Sequence, residues 1–172
     1  SHFCSAERQF RFPLEYGGRR TPNSQWTVTG AGAMTVKSVG ENMPYIHAVC
    51  IGKIADYGIT DANNMGAAMA PAAADTIKNY LDDTHTSPDD YDLIITGDLG
   101  DVGSKLLKEL LSLDGIKLSH NYDDCGLMIF DPNDSSIGAG GSGCGCSGSV
   151  MSAKILPEIK SRKYKNVLFV AT

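Results

Sequence analysis

The stretch DLIITGDLGDVGSKLLKELL, residues 92–111, decides the fold class. Its first five residues, Asp92 to Thr96, form a short apolar run of the kind that becomes a buried parallel strand. GDLG ends the run, and Gly103-Ser104 leads into a predicted helix that turns Leu106, Leu107, Leu110 and Leu111 inward. Strand, glycine turn and helix in that order are the repeating unit of α/β folds.

The alternation extends in both directions. Upstream, NNMGAAMAPAAADTIKNYLDD (63–83) predicts a helix with Met69, Ala73, Ile77 and Leu81 as one buried stripe. Pro71 is expected in its first turn, where a missing N–H costs nothing, and the Asp82-Asp83 pair is expected at its end. Downstream, CGLMIFD (125–131) reads as another buried strand. A helix follows with Val150 or Met151, Ile155 and Ile159 inward, kinked or shortened at Pro157, and NVLFV (166–170) is a last strand. Earlier in the chain, GAGAMTV (30–36) and YIHAVCIGKI (45–54) are strand candidates. QFRFPLEYGGRRTP (9–22) suits a long irregular excursion packed through its aromatics. The fold class expected is α/β, with helices packed on a mostly parallel mixed sheet.

Composition narrows the function. The chain has 172 residues, 42% hydrophobic and 20% charged, with formal net charge −5 and a pI near 5.2. A dedicated nucleic-acid binder would carry a basic face, so no nucleic-acid partner is expected. The Lys160 to Lys165 set reads as a solvated helix end. No apolar run approaches the ~18 residues of a membrane span. SHFCSAERQF has neither part of a signal peptide, and both chain ends read as cuts through a larger fold. Five cysteines in that setting imply free thiols in a reducing compartment.

The most unusual stretch is GAGGSGCGCSGS, residues 138–149. It contains a literal GxGxxG, but DPNDSS separates it from the preceding strand and SRKYK lies where a dinucleotide fold needs an acid. A Walker loop would need Lys followed by Ser or Thr, which is missing. As a zinc site, Cys144 and Cys146 need two more ligands; Cys125, Asp124 and His120 are near in sequence without forming a second short-spaced pair. What remains is a close approach of small residues into a helix start, whose N–H groups favour an anion.

Other candidates are weaker. His2, His47, His85 and His120 are scattered. Asp123-Asp124 is either an acid/base pair or a turn before a strand. Asp98, at the carboxyl end of the DLIIT strand, sits where open α/β sheets bind ligands, and there it either caps a helix or joins a site.

NMGAAMAPAAADTIKNYL followed by DDYDLIITGDLG resembles the C-terminal part of the thiolase superfamily, whose layout there runs MG, P, A, AL, DIDL and NEAF. Within it, SHFCSAERQFRFPLEYGGRRTPNSQWTVTGAGA, ITDANNMGAAMAPAAADTI, NYDDCGLMIFDP and AGGSGCGCSGS resemble the stage V sporulation protein AD family of spore-forming bacteria, across essentially the whole chain. The resemblance implies a partial thiolase-like layered fold: residues 1–40 end a first half, and 41–172 form a truncated second half. The segment bearing the superfamily's nucleophilic cysteine would lie upstream, and Cys4 is not its equivalent. Where thiolases carry the Asn of NEAF this chain has Gly97 then Asp98, and Gly143-Cys144-Gly145 stands for the catalytic His motif GHP. Carbon–carbon bond formation needs an oxyanion hole and a base, so loss of catalysis is expected.

The family also implies a ligand. Its members are understood to bind dipicolinic acid, an aromatic dianion, and to help move it into the developing spore. The implied ligand-binding set is Asp98, Ser142, Gly143, Cys144, Gly145, Cys146 and His2. An inward Asp98 would repel the dianion unless protonated or bridged by a cation, and calcium accompanies this ligand in spores. Other stage V sporulation membrane proteins and a second copy are the implied partners. The implied location is the cytoplasmic face of the forespore or spore inner membrane, held peripherally. The competing reading is a thiolase- or ketoacyl-synthase-type acyltransferase using Cys144 or Cys146, a thiol near a helix start being acidified.

Overall fold

The computed structural model describes residues 1–2, 21–38, 40, 44–131, 133–134 and 136–171. The predicted excursion at 9–22 therefore lies almost entirely outside the described residues, as does Cys4. In chain order the elements begin with β1, Trp26–Thr27, and α1, Met65–Thr84. A short 3₁₀ turn, Pro88–Asp90, leads to β2, Leu93–Thr96, and α2, Gly100–Leu113. Then come β3, Tyr122–Asp124; α3, Cys125–Met128; and β4, Gly141–Ser142. Last are α4, Cys144–Val150; a π-helical turn, Met151–Ile155; α5, Leu156–Lys160; and β5, Val167–Val170.

The main sheet is parallel, in the order β3-β2-β5. Ile94 pairs with Tyr122 and Leu168, and Thr96 with Asp124 and Val170. Alternation along β2 sends side chains to opposite faces. Ile94 joins Ala70, Ala73, Ile77, Leu81, Leu107 and Leu111 beneath α1 and α2. Leu93 and Ile95 join Val28, Cys125, Cys146, Val150 and Ile155 on the other face. Helices thus cover both faces, which is why DLIIT is apolar throughout rather than alternating. A second parallel pair, β1 with β4, joins Trp26 to Gly141 and Thr27 to Ser142.

α1 and α2 cross where Gly66 meets Gly103. A Cβ on Gly66 would lie 2.6 Å from the Leu99 carbonyl oxygen and 2.7 Å from the Gly103 nitrogen, so only glycine allows that approach.

Several expectations need correction. Pro71 is the seventh residue of α1, not in its first turn, because Asn64 starts the helix by accepting the Ala67 N–H (3.2 Å). The end of the helix does lie near Asp82-Asp83, as expected: it stops at Thr84 and closes on a left-handed His85. α2 begins at Gly100 rather than Gly103-Ser104. CGLMIFD is not a strand: the strand is Tyr122–Asp124, and Asp124 accepts the Gly126 N–H to start the helical turn α3. Side-chain capping there overrides the apolar run. Of the two expectations for Pro157, kinking or shortening, the second fails, since the helix continues past it. A π turn precedes it, with Leu156 N–H reaching back to the Met151 carbonyl, and α5 continues to Lys160.

The strands expected at 30–36 and 45–54 are absent. Those residues belong to no sheet, and Val36, Tyr45, Val49, Ile51 and Ile54 are exposed, the last by 97%. The second segment is tied to α1 by Gly52 against Thr76 and by a Lys53–Asp75 ion pair (2.8 Å). An apolar, β-prone sequence forms a strand only where another strand completes its ladder, and among the described residues none does.

Candidate functional site

The carboxyl end of the main sheet carries the turn Gly97–Gly100, between β2 and α2. Its Asp98 side chain reaches the glycine-rich segment: Gly143 N–H donates to Asp98 Oδ2 at 2.6 Å. Gly143 is the residue before α4 and has φ +99°, a conformation that favours glycine. Asp98 therefore does cap a helix start, but that of α4 rather than of the helix that follows it in sequence.

Two buried side chains hold this turn. From the sheet side, the Asp124 carboxylate accepts from Thr96 Oγ1 (2.6 Å), Leu99 N–H (2.9 Å), Gly100 N–H (3.0 Å) and Gly126 N–H (3.0 Å). Thr96 continues through the Tyr122 hydroxyl (2.8 Å) to Ser104 (3.0 Å). Burial pushes the Asp124 carboxyl above its ordinary range, against the pull of Thr96 and the Gly100 and Leu99 amides. With this many donors and no exposure, Asp124 is a structural hub rather than an acid or base open to substrate. From the other side, Gln25 Nε2 donates to the carbonyls of Asp98 (2.7 Å) and Gly141 (3.0 Å).

Ser1 completes the corner. It exchanges backbone hydrogen bonds with Gly30 (2.9 and 3.0 Å), and its hydroxyl donates to Val28 O (2.6 Å) while accepting Gly145 N–H (2.9 Å). Two of the amides expected to cradle an anion, those of Gly143 and Gly145, thus already have acceptors inside the chain.

The expected site residues separate accordingly. Asp98, Gly143 and Gly145 meet at one corner. Ser142 is buried in β4 beside Thr27. Cys144 is exposed at the start of α4, whereas Cys146 is fully buried against the second core with Cys125. His2 is exposed and follows the anchored Ser1. Burial raises the Cys146 thiol and pushes Cys125 up to about 12, which works against a thiolate at either. Among the described residues no group of three or more His, Cys, Asp or Glu is placed to hold a metal ion. No helix among them is long and apolar enough to cross a membrane.

Gln25 and Ser1 were not foreseen from sequence. Nothing local marks a glutamine in NSQWTVTG as a tie to residues far along the chain. Asp124 was noticed, but its role depends on the turn it holds, which only the fold supplies.

The sequence model of the stage V sporulation protein AD family matches residues 1–172. The chain is 47% identical over 172 residues to stage V sporulation protein AD of Bacillus subtilis (strain 168), covering all of this chain and 50% of that relative. The chain thus spans half the length of the curated relative it matches. With the match running from first residue to last, the chain belongs to the stage V sporulation protein AD family.

Proposed function

We propose that this chain is a non-catalytic, thiolase-like binding module of the sporulation machinery, and that it takes dipicolinate as its calcium chelate in preference to the bare dianion. The observation that carries this reading is the Asp98–Gly143 contact. Catalytic relatives are expected to hold an Asn and a His beside this contact, where this chain has Gly97 and Cys144, so neither a carboxamide nor an imidazole stands in those positions.

The same contact sharpens the ligand's form. A carboxylate close to a bound dianion disfavours it, whereas calcium carried with the ligand would offset that interaction. Calcium is cargo in this account, carried in with the ligand. Contacts with sporulation membrane proteins and self-association belong to the same proposal.

A thermal shift measurement tests it. A ligand binding only the folded state at one hundred times its Kd adds about 2.7 kcal/mol, an increase in Tm of several degrees. An unchanged Tm with dipicolinate plus calcium contradicts the reading. The acyltransferase alternative is tested by mass spectrometry after incubation with an acyl-CoA. An acyl adduct on Cys144 or Cys146 would establish it and overturn the non-catalytic reading.

A further inference from the structure

We propose that Gln25 is a positioning residue that sets the Asp98–Gly143 contact. Its side chain is 3% exposed, and a single NH₂ group donates to two carbonyls on separate segments. One is Asp98 in the β2–α2 turn; the other is Gly141 in β4, two residues before Gly143. Among the described residues, the main sheet and the β1–β4 pair have no strand in common. Gln25 therefore bridges them at the point where their site residues meet.

The geometry leaves that bridge little slack. A Cβ on Gly100 would lie 2.7 Å from Gln25 Nε2 and 2.4 Å from the Ala139 carbonyl, so the turn is pressed against both. Asp101 N–H donates to that Ala139 carbonyl (2.8 Å), and Ala139 N–H to Ser24 O (2.8 Å), beside Gln25 itself. Asp124 fixes the turn's amides from beneath, and Gln25 fixes its outward carbonyl. Without Gln25, Asp98 stays in the turn but loses its registration with the glycine segment. Its carboxylate then no longer meets Gly143 N–H at hydrogen-bonding distance.

The importance of this corner for ligand rests on the function proposed above, whereas the positioning role can be read without ligand. The experiment is nuclear magnetic resonance on the unsubstituted chain and on Gln25→Met, which keeps length and removes both donors. Expected in Gln25→Met are at least tenfold faster hydrogen exchange at Gly143 and an Asp98 titration midpoint raised by about half a pH unit or more, because a hydrogen bond to a carboxylate lowers its pKa. Amides of β2 and β5 should keep their protection. Unchanged Gly143 exchange and Asp98 titration in a folded Gln25→Met would overturn the proposal. If that variant does not fold, the Gln25 side-chain protons of the unsubstituted chain decide. Slow exchange supports the bridge, and exchange as fast as that of a solvated glutamine refutes it. A dipicolinate titration on both proteins separates the two ideas: failure of the unsubstituted chain to bind sinks the ligand reading while leaving the exchange and titration results standing.

Discussion

Gly143 donates its backbone N–H to Asp98 Oδ2 at 2.6 Å, across 45 positions of sequence. That one contact joins the carboxyl end of a parallel sheet to a glycine-rich helix start, the two features that open α/β folds use to hold ligands.

If Asp98 discriminates against the bare dianion, Asp98→Asn should remove the discrimination while keeping an acceptor for Gly143. Unit charges ~6 Å apart at an effective dielectric of about 20 interact by about 3 kcal/mol, so calcium-free dipicolinate should bind at least about tenfold more tightly to the variant. The gain in affinity from adding calcium should shrink in parallel. Equal calcium dependence in both proteins, read by titration calorimetry, would count against a role for this charge.

Asp124 should matter for stability far more than for binding. Asp124→Ala leaves three backbone N–H groups and the Thr96 hydroxyl facing an empty site, a cost of about 3 kcal/mol or more. For a chain of this size that lowers Tm by about 6–12 °C, measurable by calorimetry or circular dichroism. A drop of a degree or less would show that the hub is dispensable.

The thiols should divide by burial. Cys144 should react with a maleimide within minutes, while Cys125 and Cys146 stay protected until the chain unfolds. Pulse labelling and peptide mass spectrometry distinguish them. Rapid labelling of Cys146 in the folded protein would contradict its placement in the core.

Burial also fixes the sign of an alkaline transition. It pushes the Cys125 thiol and the Tyr122 phenol both up to about 12. Their unfolded values are about 8.5 and 10, so the stability each contributes is intact below its unfolded value and is lost as pH rises through about 12. The double variant Cys125→Ala/Cys146→Ala, less stable throughout through lost packing, should begin its alkaline decline about 1.5 pH units later, at the phenol's onset rather than the thiol's. Denaturant midpoints between pH 7 and 12 check this; an unshifted onset would contradict it.

These features were unequally legible in the sequence. DLIIT read correctly as a buried parallel strand and NVLFV as a strand, both being short, largely β-branched or aromatic apolar runs. Ala73, Ile77 and Leu81 read correctly as a core stripe because helical spacing is local. YIHAVCIGKI misled because strand formation depends on a partner, and CGLMIFD misled because Asp124 caps a turn just ahead of it. Asp98 was singled out from its place at a strand end. The identity of its partner was beyond reach, because Gly143 comes to it through tertiary structure alone.

The segment around 45–54 carries its own expectation. Ile51 and Ile54 are more than 90% exposed, alongside Tyr45, Ile46, Val49 and Tyr57. Exposed apolar side chains gathered in one segment favour association. Sedimentation of the chain should show self-association, and Ile51→Glu with Ile54→Glu should shift it toward monomer with little change in Tm. A monomer at all concentrations would contradict the expectation.

Titration calorimetry with dipicolinate, with and without equimolar calcium and beside an isomeric pyridine dicarboxylate, tests the central claim most directly. The account predicts saturable heat for dipicolinate that strengthens with calcium and is absent for the isomer. No heat with calcium present, or the same heat for both dicarboxylates, would contradict it.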